Sequence, residues 1–239
     1  MAGENENGDG QWGDLSVKAT ALKVFATQGY ALRFASEALQ GDDEVVRVAV
    51  SSNGHALRYA KKAQRESVAL VMAAVKQNGL ALCYAPVCAN NKQVGKAACE
   101  QNGWALQFAG EKVRDDKEIV KIAVTNTGDA LTFASTRLKG DKAIVALALQ
   151  NTGDAFMHAS PELRKDAGLA RTAVSAKGDA LKWASPQLQA TAGLVTEAVK
   201  NDGLALEFAA DVCRNDKRIV MAACTGNGMA LHRHRAAVV

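Results

Sequence analysis

The sequence predicts an all-α fold, an α-solenoid of short two-helix repeats of about 25 residues each, with eight to nine units. Three observations lead to this prediction. A motif of the form G-x-A-L-x-aromatic-A recurs along the chain, alanine and leucine columns keep register with it, and a capping residue stands at a fixed distance before each glycine. Self-similarity at a fixed period is typical of stacked repeats and not of a single globular core.

The glycines set the period of the repeat. Consecutive glycines are 25 residues apart except for one interval of 24, between Gly79 and Gly103. Ala follows each glycine by two residues in all nine copies, and the next residue is Leu in eight of them. The nine glycines are Gly29, Gly54, Gly79, Gly103, Gly128, Gly153, Gly178, Gly203 and Gly228. This alignment predicts nine equivalent structural positions.

The first helix of each unit is predicted to run from a capping residue to just before the glycine. Val45, Val46, Ala49 and Val50 of the second unit fit one helix face. The glycine suits a left-handed turn that closes the helix. The residue twelve positions before the glycine can accept a hydrogen bond from the free N–H groups at a helix start. These caps are Asp42, Ser67, Asn91, Asp116, Asp141, Asp166, Thr191 and Asp216.

The first unit departs from this pattern. Val24 and Phe25 stand where Ala and Val occur in the other units. We therefore expect Gly29 to lack the usual upstream helix and to belong to an N-terminal cap.

The second helix is predicted to start after the glycine, with Ala, Leu, the aromatic residue and the second Ala on its core face. Ala130, Leu131, Phe133 and Ala134 are one example. A Ser-Pro pair then suits the first turn of a new helical segment. Pairs of this kind occur at 160–161 and 185–186, and all three prolines (Pro86, Pro161 and Pro186) fall within one position of this place. A unit of this size buries too little apolar surface to fold alone, so the units must stack.

The predicted domain organisation has three parts. Residues 1–13 form a flexible polar tail, 14–231 the helical repeat solenoid, and 232–239 a degenerate or frayed C-terminal segment, where His234 replaces the second Ala. The polar start is unlike a secretory signal, and no apolar run is long enough to predict membrane insertion. The odd number of five cysteines and the absence of a CxxC spacing favour an intracellular, reducing compartment.

Two of the units carry a recognisable pattern. They read DKEIVKIAVTNTGDALTFAS and DKAIVALALQNTGDAFMHAS. These columns resemble the uncharacterised repeat family known as domain of unknown function 4116, over about residues 20–231. The resemblance implies a helical, tandemly repeated protein. It implies no activity and no catalytic residues, because the family has none established.

The residue directly after each glycine is the candidate functional column. Stacking would place these residues in a line, roughly 10 Å apart. Tyr and Trp in its largely apolar first half could anchor a protein partner, and its three Asp could receive a basic segment. The alternatives are that Asp is favoured at a helix start by the helix dipole and that the aromatic residues are partly buried between units. The candidates are Tyr30, His55, Leu80, Trp104, Asp129, Asp154 and Asp179.

A second variable column lies four residues after the glycine. On a helix it should be close to the first column. Variation inside a constant frame suits a recognition surface, and it equally suits solvent exposure. Its members are Arg33, Arg58, Cys83, Gln107, Thr132, Met157, Lys182 and Glu207.

Reactive side chains give no catalytic, cofactor or metal site. Cys99 and Cys224 stand in a valine column, which predicts a core position, and Cys83 is the cysteine expected to be accessible. Cys88 and Cys213 are assigned to the apolar anchor region. His158 replaces the aromatic residue as a core substitution, and His232 and His234 are too weak a pair for metal.

The sequence therefore predicts a non-enzymatic protein, with no cofactor. We expect a protein-interaction scaffold or a structural or accessory subunit of a larger assembly, because solenoids present long continuous surfaces. The alternative is a nucleic-acid-binding helical repeat protein. The nearly balanced net charge of +4 argues against that alternative.

Overall fold

Each repeat contains three helical segments in a constant order. A long α-helix, ten residues in most repeats, is followed by a six-residue 3-10 helix that begins at the repeat glycine, and then by a short helical segment. The computed structural model describes residues 12–226, and within these residues no strand occurs. The all-α repeat solenoid is confirmed. The structure adds a third segment to the expected pair, and the second helix is of the tighter 3-10 type.

The segment boundaries repeat with the sequence. The long helices are Lys18–Phe25, Asp43–Ser52, Val68–Gln77, Lys92–Gln101, Lys117–Asn126, Lys142–Asn151, Ala167–Ala176, Ala192–Asn201 and Lys217–Gly226. The 3-10 helices are Gly29–Phe34, Gly54–Tyr59, Gly79–Tyr84, Gly103–Phe108, Gly128–Phe133, Gly153–His158, Gly178–Trp183 and Gly203–Phe208. The short segments are Glu37–Gln40, Lys62–Glu66, Pro86–Cys88, Glu111–Arg114, Thr136–Lys139, Leu163–Lys165, Pro186–Gln189 and Asp211–Arg214.

The chain divides into two units, which we call unit 1 (residues 1–123) and unit 2 (residues 124–239). The expected polar tail and frayed C-terminal segment lie mostly outside the described residues. Trp12, at the end of the expected tail, is half-buried, and its ring centroid lies 5.2 Å from that of Phe34.

The long helices begin largely as expected. Asp42 accepts hydrogen bonds from the backbone N–H groups of Glu44 and Val45, at 3.0 and 3.1 Å. Side-chain caps of this kind are also made by Asn91, Asp116, Asp141, Asp166 and Asp216. Ser67 and Thr191 make no such bond. The cap column is therefore confirmed at six of eight positions.

The first repeat has a helix that the sequence did not lead us to expect. Lys18–Phe25 lies directly upstream of Gly29 and is eight residues long. Ala21 and Phe25 are fully buried on its inner face. The expectation that Gly29 lacks an upstream helix is wrong, because these two residues supply the buried face that the valine and alanine columns supply elsewhere.

The repeat glycines from Gly29 to Gly203 do not form left-handed turns, so that prediction is also wrong for them. Among the described residues only Gly13 has a positive φ, of 75°. The glycines are required because backbones of neighbouring repeats approach closely there. A Cβ atom at Gly54 would lie 2.5 Å from the carbonyl oxygen of Ala74, and one at Gly153 would lie 2.8 Å from that of Ala173. The alanine five residues before the next glycine is thus the packing partner of the glycine column.

Side-chain amides also join neighbouring repeats. Oδ1 of Asn201 accepts a hydrogen bond from the backbone N–H of Gly178 at 2.8 Å, and its Nδ2 donates to the carbonyl of Ser175 at 2.8 Å. Gln77 makes the same pair of bonds to Gly54 and Ser52 in unit 1, at 2.6 and 3.3 Å. At these positions the amide holds neighbouring repeats in register by polar contacts, in addition to packing.

The short segments make a second bridge between neighbours. The backbone N–H of Lys61 donates to the carbonyl of Gln40 at 3.0 Å, and that of Ser185 to the carbonyl of Arg164 at 3.0 Å. Pro186 occupies the first turn of its segment, as expected. Pro86 also begins a segment, one position earlier in the repeat than Pro186. This is the position of Lys61 and Ser185, so the bridging backbone N–H is absent there.

The core is built from the alanine, leucine and valine columns. Val45, Val46, Ala49 and Val50 are fully buried, as predicted. Ala130 and Leu131 of the 3-10 helices and their equivalents are buried too. The aromatic column is only half-buried in the described repeats, because the tight 3-10 turn carries it toward the surface. Placing it in the core, as for Phe133, was wrong.

Candidate partner-binding surface

The 3-10 helices of unit 1 bring three columns to the surface. These are the residue after the glycine, the residue four positions after it, and the aromatic residue five positions after it. Tyr30 and Trp104 are 42% and 40% exposed, which is high for aromatic side chains of a folded repeat. We call this surface the aromatic row of unit 1. It comprises Tyr30, Arg33, Phe34, His55, Arg58, Tyr59, Leu80, Tyr84 and Trp104.

The rings of adjacent repeats contact each other edge to face. The ring centroids of Tyr30 and Tyr59 lie 5.3 Å apart with an interplanar angle of 86°. Those of His55 and Tyr84 lie 5.9 Å apart at 76°. Such pairs contribute about 0.5–1.5 kcal/mol beyond the burial of their area. Ring contacts therefore connect the first three repeats of the row.

Two arginines lie on these rings. The guanidinium carbon of Arg33 is 4.6 Å from the ring centroid of Phe34 and 5.3 Å from that of Tyr30, and its Nη1 donates to the Tyr30 hydroxyl at 2.8 Å. Arg58 lies 5.1 Å from the ring centroid of Tyr59 and 5.9 Å from that of Tyr84 in the next repeat. Cation–π contacts hold both guanidinium groups in place.

These surroundings shift the pKa values of two tyrosine hydroxyls. A hydrogen bond with Tyr59 lowers the pKa of Tyr30, and the hydrogen bond from Arg33 and the charges of Arg33 and Arg58 lower it further. Burial is the largest cause of the raised pKa of Tyr59. The electrostatic influences on Tyr30 are thus cationic.

His55 is held in place by hydrogen bonds and by a ring contact with the next repeat. Its backbone N–H donates to Oδ1 of Asn53 at 3.0 Å, and its Nε2 lies 2.9 Å from Nδ2 of Asn78. Its buried Nδ1 has no hydrogen-bond partner within residues 12–226. The ring is therefore fixed by its neighbours and contributes mainly to the packing of Tyr84.

The three aspartates of the candidate column lie in unit 2, where two of them pair with lysines. Lys177 Nζ lies 2.7 Å from Oδ2 of Asp154 and 3.8 Å from Oδ1 of Asp179, and Lys182 Nζ lies 3.0 Å from Oδ2 of Asp179. The buried Oδ1 of Asp129 has no hydrogen-bond partner in the part of the chain that the structure describes. A basic segment would have to displace these lysines.

The lysines on the aspartate column were missed in the sequence. The contact between Asp179 and Lys182 spans three residues, which is an ordinary intrahelical pairing and could have been found. The contact between Asp154 and Lys177 joins two repeats, and only the repeat period could have revealed it.

Between residues 12 and 226 the cysteines do not form an assembled centre. All five cysteines are free; Cys88, Cys99 and Cys213 are buried, as expected. Cys224 is half-buried, although its column is buried elsewhere. Cys83, expected to be accessible, is half-buried, and burial raises its pKa. Burial raises the pKa of Cys99 to about 12.

The described histidines and acidic residues do not assemble into a metal site. His158 is half-buried, and burial lowers its pKa. His232 and His234 lie outside the described residues. Within residues 12–226, no group of three or more His, Cys, Asp or Glu side chains could hold a metal ion. No helix in that range is both long and apolar enough to cross a bilayer.

Comparison with known proteins gives one family. A model described as "Domain of unknown function (DUF4116)" matches residues 20–63, 91–139, 141–189 and 193–233. These four matches together cover most of the chain. No curated protein and no solved structure matches it.

Proposed function

Because the chain belongs to the DUF4116 family, whose description assigns no function, we propose from its geometry that it is a non-enzymatic protein-interaction scaffold. Its partner binds the aromatic row of unit 1. One observation supports this most strongly: Tyr30 and Trp104 stay about two-fifths exposed at equivalent positions of the repeat. Exposed aromatic side chains on a fixed frame are the usual anchors of protein interfaces.

The frame reduces the entropic cost of binding. The 3-10 helix Gly54–Tyr59 is tied to the next repeat by the Gln77 amide, and its first turn is capped by Asn53. Ring contacts then hold Tyr30 and Tyr59 against each other. Because these side chains are ordered before a partner arrives, little conformational freedom is lost on association.

The free thiols support a proposal for the compartment. Five free cysteines, three of them buried, are typical of a protein that folds where disulfides do not form. We therefore place the interaction in an intracellular, reducing compartment, where the protein acts alone or as an accessory subunit of a larger assembly.

The test is quantitative capture of partners from the source cell with the double variant Tyr30→Ala/Trp104→Ala. We expect about a tenfold or greater loss of the specific partners, because truncating a central Tyr or Trp anchor usually costs at least that much affinity. The matched control is Val68→Ala/Val87→Ala, which removes two exposed apolar side chains of unit 1, 43% and 66% exposed, that lie outside the row. An unchanged set and amount of partners with the row variant would refute the proposed function.

A further inference from the structure

We propose that the aromatic row of unit 1 binds an acidic peptide segment of the partner, with carboxylates of that segment paired to Arg33 and Arg58. This inference rests on the proposed function and specifies the chemistry of the same surface.

The row carries two positive charges without a carboxylate partner. Arg33 and Arg58 are exposed and occupy equivalent positions in adjacent repeats. Within residues 12–226, no carboxylate forms an ion pair with either guanidinium. The four 3-10 helices of unit 1 read GYALRF, GHALRY, GLALCY and GWALQF, without an acidic residue. The row is therefore cationic, with no internal counter-charge on its own helices.

In unit 2, the cation at the equivalent position forms an ion pair with a nearby carboxylate. There Lys182, which occupies the column of Arg33 and Arg58, pairs with Asp179 at 3.0 Å while it lies 5.2 Å from the Trp183 ring centroid. At this position, a cation that lies on an aromatic ring can therefore form an ion pair with the carboxylate of the residue directly after the glycine. In unit 1 that residue is Tyr30 or His55, and the carboxylate has to come from a partner.

The guanidinium groups are held in a fixed orientation on the rings. Arg33 is fixed by its hydrogen bond to the Tyr30 hydroxyl and by the Phe34 ring, and Arg58 lies over rings of two repeats. A guanidinium that stacks on a ring leaves N–H groups at its edge for paired hydrogen bonds to a carboxylate. Because both side chains are already ordered, such a pair forms with little further loss of rotamer freedom.

The spacing of the two arginines fits one peptide conformation. Equivalent positions of stacked helices lie about 10 Å apart, and a polyproline II segment advances about 3.1 Å per residue with three residues per turn. Every third side chain of such a segment lies on the same side, so acidic residues at every third position would match the two arginines.

The geometry favours a peptide over a nucleic acid. Nucleic-acid bases need free ring faces on which to stack, and here Arg33 and Arg58 cover faces of Tyr30, Phe34, Tyr59 and Tyr84. Two cations also give a weak attraction to a phosphate backbone, whose binding grows with the number of phosphates neutralised.

The test is fluorescence anisotropy with the full chain and a labelled peptide that carries Glu at every third residue, compared with the same peptide carrying Gln. We expect Arg33→Gln/Arg58→Gln to weaken binding of the Glu peptide by about tenfold or more, because both paired charges are lost. The matched control is Arg47→Gln/Lys76→Gln, which removes two exposed positive charges on long helices of unit 1. The control should bind the Glu peptide like the wild type, and the wild type should discriminate against the Gln peptide.

Three results would overturn the inference. They are no binding of the Glu peptide by the wild type at low salt, equal binding by the Arg33→Gln/Arg58→Gln variant, and tighter, arginine-dependent binding of a labelled oligouridylate. The last result would assign the row to nucleic acid.

Partner capture separates this inference from the proposed function. If Arg33→Gln/Arg58→Gln retains partners that Tyr30→Ala/Trp104→Ala loses, the acidic-segment inference is wrong and the scaffold stands. If both variants retain every partner, the scaffold itself is wrong.

Discussion

At Gly178 the backbone lies so near the next repeat that a Cβ atom would stand 2.5 Å from the carbonyl oxygen of Ala198 and 2.8 Å from the backbone nitrogen of Asp202. Both are backbone atoms, so neither can rotate away as a flexible side chain could. Glycine is required here for close approach and not for an unusual φ.

We therefore expect Gly178→Ala to destabilise the protein by about 1–3 kcal/mol, the usual cost of overpacking. The matched control is Gly193→Ala in the helix Ala192–Asn201, where an added Cβ meets no atom within 4 Å. The control should stabilise by up to about 1 kcal/mol, because Ala is the better helix former. Urea unfolding measures both changes, and a Gly178→Ala variant as stable as the wild type would contradict the packing role of the glycine column.

The capping aspartates make stability depend on pH. The side-chain hydrogen bond from Lys142 is the main reason why the pKa of Asp166 lies below its ordinary value of 3.8, and the backbone N–H of Leu169 lowers it further. Because this pKa is lower in the folded state than in the unfolded one, the stabilisation is complete above the unfolded value. It is lost as the pH falls through the folded value.

We expect Asp166→Asn to lower the unfolding midpoint at neutral pH and to flatten its fall below pH 3.8, the ordinary value of the carboxyl group. Asn still caps a helix start, so the neutral-pH loss comes from the contact with Lys142. Denaturation at several pH values is the measurement, with Glu162→Gln, an exposed carboxylate of the same unit, as the control. Identical acid profiles for Asp166→Asn and wild type would show that this carboxylate has no such role.

At the scale of the element, the polar bridge between repeats depends on one amide. Asn201 both accepts from the Gly178 N–H and donates to the Ser175 carbonyl. The preceding repeat has Ala176 in the equivalent position, which can do neither. The two positions form a natural pair for measuring what the bridge contributes.

Replacing Asn201 by Ala should destabilise unit 2 by about 1–2 kcal/mol, because the part-buried backbone N–H of Gly178 loses its acceptor. The converse change, Ala176→Asn, should stabilise by about 0.5–1.5 kcal/mol by adding the same pair of bonds. Equilibrium unfolding of both variants tests this, and shifts of the same sign would refute the bridge.

A fully buried alanine tests the packing of the 3-10 helix. Ala130 in Gly128–Phe133 is fully buried. Ala130→Asp should cost several kcal/mol, on the order of 3–5, because it buries an unpaired charge. Thermal unfolding followed by circular dichroism is the measurement. A melting temperature equal to that of the wild type would show that this helix does not face the core.

The sequence predicted the long helix better than the 3-10 helix. Val45, Val46, Ala49 and Val50 lie at helical spacing in a segment that forms a ten-residue helix, and this spacing favours an α-helix. The motif after the glycine is only six residues long, and its Ala and Leu fit an α-helix or a 3-10 helix equally well. The aromatic column is half-buried because the segment forms a 3-10 helix, so its burial could not be predicted from spacing alone.

The candidate site was predicted in part. The column after the glycine was expected at the surface, and Tyr30 and Trp104 are exposed there. The contacts of Arg58 with Tyr59 and Tyr84 were not foreseen, because they involve side chains that only stacking brings together. Recurrence of Arg at positions 33 and 58, one period apart, was the available signal.

At the scale of the whole molecule, one stretch of the sequence departs from the family pattern and still forms the repeat. The family model leaves residues 64–90 unmatched. The cap at Ser67 is absent there, and Pro86 replaces the N–H that bridges neighbouring short segments elsewhere. The helices Val68–Gln77 and Gly79–Tyr84 nevertheless form, with Leu70, Val71 and Ala74 fully buried. Packing between neighbours thus preserves the repeat where local signals weaken.

The central claim is that exposed aromatic side chains on this stacked frame are the protein-binding surface. Site-specific photocrosslinking in the source cell tests it most directly, with a photoreactive phenylalanine in place of Tyr30 or Trp104 and, as the control, in place of the more exposed Val87. We expect one specific protein adduct from positions 30 and 104 and none from position 87. Adducts from position 87 alone, or the same adducts from all three positions, would contradict the account.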